Sequence, residues 1–187
     1  MKNVILSILA LTFISVSCNK NKQSETTDSA TTKPETTTEV VNQSPFSIKE
    51  IVSNYLSLKN ALTKDDANGA ANAGNAIVAV MAKIDMKNLS SDQMKKYMEV
   101  ADDAKEHAEH IGSNSGDIEH QREHFVLLSK DINDLIITFG TNQKLYLDFC
   151  PMADDGKGAI WISETKEIKN PFQGAKMPSC GSVKKEL

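Results

Sequence analysis

The sequence predicts a mostly α fold: an antiparallel up-and-down four-helix bundle with an irregular, partly β-like C-terminal segment wrapped along it. Three observations predict it. Apolar residues recur at helical spacing from Phe46 to about Gly140. Breaks fall at polar, capping-type residues and at glycine, and they divide that stretch into four. After Gly140 the helical period stops, and Gly, Pro and Asn recur between brief β-like runs.

The first helix is expected over Ser47 to Thr63, where Ile48, Ile51, Val52, Tyr55, Leu56, Leu58 and Leu62 form a broad stripe. Asp65 or Asp66 caps the second helix. That helix is alanine-rich, and its Gly69 and Gly74 let its backbone approach a neighbour closely. Ser90 or Ser91 opens the third, where Met94, Tyr97, Met98, Ala101, Ala104, Ala108 and Ile111 share a face before the turn GSNSGD. The fourth, Asp117 to Phe139, repeats Ile118, Phe125, Ile132 and Phe139 every seventh residue, with Leu128 and Leu135 between them. Short connections favour antiparallel neighbours, hence the bundle. Beyond it, β-like runs are expected at Leu145 to Phe149 and Ala159 to Ile162, with Trp161 and Phe172 anchoring the segment on the helices.

The N-terminal part reads differently. Residues 1–17 carry a charge at Lys2 and an apolar run from Val4 to Val16, the pattern of a signal peptide. The run ends in Ser15, Val16 and Ser17 before Cys18, as in a bacterial lipobox, so Cys18 is expected to carry lipid and anchor the chain to the envelope membrane. Residues 18–45 hold seven threonines and no aromatic residue and read as a disordered tether. The expected organisation is therefore leader (1–17), lipidated tether (18–45), bundle (46–140) and C-terminal wrap (141–187). Loss of Lys2 and of no acid would take the formal charge from −4 to −5, which argues against a nucleic-acid partner.

Sulfur is the first candidate chemistry. With Cys18 committed to lipid, Cys150 and Cys180 form an even pair in an oxidising compartment. A disulfide would close a loop of about thirty residues and stabilise the fold by roughly 3–4 kcal/mol. The other reading adds Met152 and Met177, one beside each cysteine. Thiolate with thioether is a soft donor set that suits Cu(I), with Zn²⁺ the weaker fit. Both readings stand on the sequence.

Nitrogen is the second. All four histidines lie between His107 and His124, on either side of the turn before the fourth helix. On helical wheels His107 and His124 flank the apolar faces, whereas His110 and His120 point mostly to solvent, so His107 and His124 are the expected ligands. GKG at 156–158 is too short for a phosphate loop, and Asp154 with Asp155 lacks the spaced ligands of a calcium loop. No nucleophile, base and orienting acid stand out together, so a binding protein rather than an enzyme is expected.

The ordered motifs CPM, GAIW.S, NP, M and CG, with the preceding HIGSN and DIEHQREHF, resemble a family of bacterial cell-envelope domains of unknown function. Members look like stand-alone lipoproteins or extensions of periplasmic adaptor subunits of heavy-metal, including copper, efflux systems. The CPM…CG spine is also similar to short heavy-metal-binding modules. The resemblance implies a metal-related periplasmic role carried by Cys150, Met152, Met177 and Cys180, with efflux components as partners. It departs at Phe149, where some relatives have His, and at Ala153, where the short metal-binding modules have His, so a nitrogen ligand would have to come from His107 or His124.

Overall fold

The computed structural model describes residues 46–187. The expected signal peptide, the lipidated Cys18 and the tether lie outside the described residues. Four helices form as the periodicity requires: α1 (Lys49–Leu62), α2 (Ala67–Met81), α3 (Ser91–Ser113) and α4 (Ile118–Phe139). Their starts are set by side chains that accept otherwise unpaired amides. Asp66 accepts from Gly69 N, and Asp117 from His120 N. Ser90 and Gln93 form a reciprocal capping box. α1 starts without a side-chain cap at its N-cap residue, Ile48.

Along the chain, α1 packs on α2, α2 on α3 and α3 on α4. The glycine at 74 permits the middle contact. A β-carbon there would stand 2.9 Å from the Ala108 carbonyl oxygen and 3.1 Å from Ile111 Cγ2, too close for any side chain. The predicted face of α3 holds from Tyr97 to Ile111, but Met94 and Met98 are exposed, at 37% and 50%. Met94 precedes the buried series, and Met98, one residue after Tyr97, stands about 100° around the helix from it, at the edge of the packed face. No helix among the described residues is long and apolar enough to cross a membrane.

The C-terminal segment is more regular than expected. It forms a three-stranded antiparallel sheet from β1 (Tyr146–Cys150), β2 (Ala159–Ser163) and β3 (Ser182–Glu186), in the order β2-β1-β3. Two strands coincide with the expected runs. The third, SVKKE, is exposed along its length, so it carries no apolar alternation for a sequence reading to find. The β1–β2 connection turns through three successive left-handed residues, Asp154, Asp155 and Gly156. The acidic pair is thus an element of the turn.

The sheet's inner side meets α4 and α1. Trp161 and Phe172 are both buried and stand edge to face at 5.8 Å, and Phe172 in turn meets Phe125 of α4. Tyr55 stacks on Phe125, and its hydroxyl accepts the Ile162 amide at 3.1 Å, a direct tie from α1 to β2. Several of the ordered motifs now have structural reasons. The Asn170 side chain accepts from Phe172 N and Gln173 N and donates to the Cys180 carbonyl at 2.6 Å, which joins the NP motif to CG. Gly181 (φ 142°) lies where a β-carbon would strike the Trp161 ring.

One buried group runs against the rest. Asp148, in the central strand, is fully buried with neither carboxylate oxygen hydrogen-bonded among the described residues. Burial pushes its pKa up to about 6, against a smaller opposing pull from Lys59. In the unfolded chain the carboxyl ionises near pH 3.9, so between about pH 4 and 6 the unfolded state binds fewer protons. Asp148 therefore lowers stability as pH rises through that window, by up to about 3 kcal/mol at neutrality. Asp148→Asn should raise stability at pH 7.5 relative to wild type and lose most of that gain at pH 4. Urea denaturation at both values measures it, and an equal effect at both would show that ionisation is not the cause.

Candidate metal centre

The turn between α3 and α4 is short and locally determined. The Asn114 side chain donates to the His110 carbonyl, Asn114 O accepts from Asp117 N, and Asp117 caps α4. This hairpin sets residues 107 and 110 opposite 120 and 124, and all four imidazoles come together.

His107 Nδ1 lies 3.3 Å from His124 Nδ1, with the ring planes at 44°. Two nitrogens bound to one tetrahedral ion at about 2.0–2.1 Å lie about 3.3–3.4 Å apart, so this pair is already at ligand spacing. One nitrogen each from His110, His120 and His124 also fall within 4.8 Å of one another. Proximity is not sufficient for that trio. An imidazole lone pair lies in the ring plane, and the His110 and His124 rings are stacked at 4.2 Å with planes only 7° apart. Nearly parallel stacked rings cannot direct lone pairs at one ion unless one of them turns. His120 meets His124 at 76° and 4.7 Å and suits a third ligand better. As arranged, His107 meets His124 at ligand spacing, His120 stands across His124, and His110 lies over it.

Carboxylates stand behind three of the rings. Glu123 Oε2 is 3.2 Å from His120 Nδ1, Glu106 Oε1 is 4.0 Å from His110 Nε2, and Asp131 Oδ2 is 4.0 Å from His107 Nε2. Asp131 is the most telling, because Oδ2 is buried without a hydrogen-bond partner among the described residues and faces the ring nitrogen opposite Nδ1. At 4.0 Å this carboxylate is beyond hydrogen-bond reach, but its charge favours a proton on Nε2 over one on Nδ1. Burial, then the neighbouring Asp103 and Asp134, pushes the Asp131 pKa up to about 6. Burial also holds His107 and His124 below the usual imidazole range, and for His124 the other three histidines act in the same direction. Both rings are therefore neutral at neutral pH, the form that binds metal.

The sulfur groups are arranged differently. Cys150 and Cys180 are free thiols with their sulfurs 3.2 Å apart, Cys150 buried and Cys180 partly so. Two thiolates on one tetrahedral ion at about 2.3 Å lie about 3.8 Å apart, so the pair is closer than ligands would be. Met152 is 54% exposed and lines a groove with Glu119, Glu123 and Phe172. Met177 is half-buried, and its carbonyl accepts the Cys180 amide. The expected ligands thus divide: the structure pairs the two cysteines and pairs His107 with His124. Sequence reasoning left His110 and His120 in solvent and passed over Asp131. A signal for Asp131 was present, since it lies seven residues after His124, on the same face of the helix.

The model of a family described as protein of unknown function, DUF3347, matches residues 51–144. The chain belongs to this family. No curated protein and no solved structure matches it. The DUF3347 match spans α1 to α4 and so includes every histidine, whereas Cys150 and Cys180 lie beyond it. The imidazole cluster is part of the DUF3347 region, and the thiol pair belongs to the sheet that follows.

Proposed function

We propose that this DUF3347 protein binds a transition-metal ion, copper foremost, in the bacterial cell envelope, where lipid on Cys18 tethers it and a heavy-metal efflux or delivery component takes up the ion. It acts by holding and passing the ion, with no catalysis of its own. In this reading the four helices run up and down, each antiparallel to the last. The observation that carries it is the 3.3 Å approach of His107 Nδ1 to His124 Nδ1, with nitrogens of His110 and His120 within 4.8 Å of one on His124. Imidazole donors suit Cu²⁺ and Zn²⁺, and at a given nitrogen site Cu²⁺ binds more tightly. The centre is thus nitrogen-based, in place of the Cu(I) site of Cys150, Met152, Met177 and Cys180 that the motifs suggested.

The test is equilibrium dialysis of the full chain against Cu²⁺, Zn²⁺ and, anaerobically, Cu(I), with electron paramagnetic resonance of the Cu²⁺ form. About one Cu²⁺ per chain with nitrogen hyperfine structure is expected. A wild-type chain that retains no metal would sink the reading and leave a disulfide-stabilised interaction module, the function that the close thiol pair favours. Copper retained only as Cu(I), and lost with Cys150→Ser, would return the site to sulfur.

A further inference from the structure

We propose that Cys150 and Cys180 are a site of thiol–disulfide exchange, at which the C-terminal strand is bonded covalently to the centre of the sheet, and that Cys180 is the sulfur that reacts first. The proposal is independent of metal binding.

The sulfurs stand 3.2 Å apart, so a bond of about 2.05 Å needs a shift of only about 1 Å. Both backbones are held independently of that bond. Cys150 ends β1 and pairs with Ala159, while Cys180 is fixed through its carbonyl by Asn170 and through its amide by Met177. The residue after Cys180, Gly181, leads directly into β3, and Ser182 pairs with Phe149. A bond here fastens an edge strand that has no buried residue of its own.

Exposure sets the order of events. Cys150 has no accessible surface, so an incoming disulfide can reach only Cys180. The Cys180 thiolate attacks one sulfur of a small disulfide, forming a mixed disulfide and releasing one thiolate. Cys150 then gives up its proton, attacks the Cys180 sulfur and expels the second thiolate. The two cysteines lose two electrons and two protons in all, and the oxidant is reduced to two thiols. Hydrogen bonding with Cys150 holds the Cys180 pKa above the usual thiol range, so the first step should quicken as pH rises above neutrality.

The test treats the reduced full chain with oxidised glutathione and maps its peptides, which keeps Cys18 separate. Wild type should give a Cys150–Cys180 linked peptide short by two hydrogens, and its melting temperature should exceed that of the reduced chain by about 5–15 °C. Cys150→Ser should accumulate glutathione on Cys180, whereas Cys150 in folded Cys180→Ser should react at least about tenfold more slowly. Should either variant fail to fold, as judged by circular dichroism, the first adduct in a wild-type time course decides the order. Wild type that remains as two thiols or stops at glutathione adducts overturns the proposal, and so does Cys150 reacting as fast as Cys180.

Discussion

Replacing Arg122 with alanine should lower folding stability by about 3–5 kcal/mol. Arg122 is 8% exposed and lies on α4, where its guanidinium joins three parts of the chain. Nε donates to the Pro171 carbonyl at 3.0 Å and Nη2 to the Leu62 carbonyl at 3.2 Å; Nη2 also donates to Asp65, and Nη1 to Glu119. Asp65 passes the connection on by accepting the Ala175 amide. Truncation leaves the Pro171 carbonyl without a donor and the Leu62 carbonyl and Asp65 carboxylate with a backbone amide each, and the cost of a stranded buried acceptor exceeds the value of the bond itself. The effect should depend on pH. Arg122 foremost holds the Asp65 carboxyl below its usual range, so that contribution is present above about pH 4 and is lost as pH falls through the lowered folded value. The gap between wild type and Arg122→Ala in urea denaturation should therefore narrow in acid. Glu119 is 78% exposed, and Glu119→Ala should change little. A loss below about 1 kcal/mol for Arg122→Ala would mean that water replaces the guanidinium at this junction.

His124→Ala should weaken Cu²⁺ binding at least about 100-fold, because His124 is the ring that meets each of the other three. His107→Ala should come next. Asp131→Asn should cost about tenfold by loosening control of the His107 tautomer. His110→Ala should cost less than His107→Ala, since the His110 ring lies over His124 and does not share its ligand plane. Competition against a chelator of known affinity ranks the four variants. If His110→Ala proves worse than His107→Ala, one of the stacked rings turns on binding and the centre is the trio of His110, His120 and His124.

The helices were legible because two independent signals agreed. An apolar stripe gave each one its extent, and Asp66, Ser90 and Asp117 fixed where three of them start. The sheet was half legible, since β1 and β2 bury alternate or most residues while β3 buries none. The Arg122 junction could not be read at all, because two of its acceptors are backbone carbonyls, which have no sequence signature. The wheel reading put His107 and His124 on the flanks of the apolar faces, and both are partly buried and 3.3 Å apart. It left His110 and His120 towards solvent, where His110 is exposed and His120 partly so, but a wheel treats one helix alone and does not show that both rings meet His124. The polar flank of α3 becomes a facing surface once α4 lies beside it.

The two junctions on α4 also differ in when they can form. The imidazoles at 107 and 124 are seventeen residues apart, while Arg122 reaches partners 49 to 60 residues away. Closing the shorter loop loses less chain entropy, and contacts of low sequence separation form early in folding. The α3–α4 hairpin is accordingly a candidate nucleus, and its imidazoles would be in place before the sheet has docked. An ion captured at that stage would hold the hairpin closed while slower, long-range pairing proceeds, and its release would later require only that hairpin to open, not the whole domain.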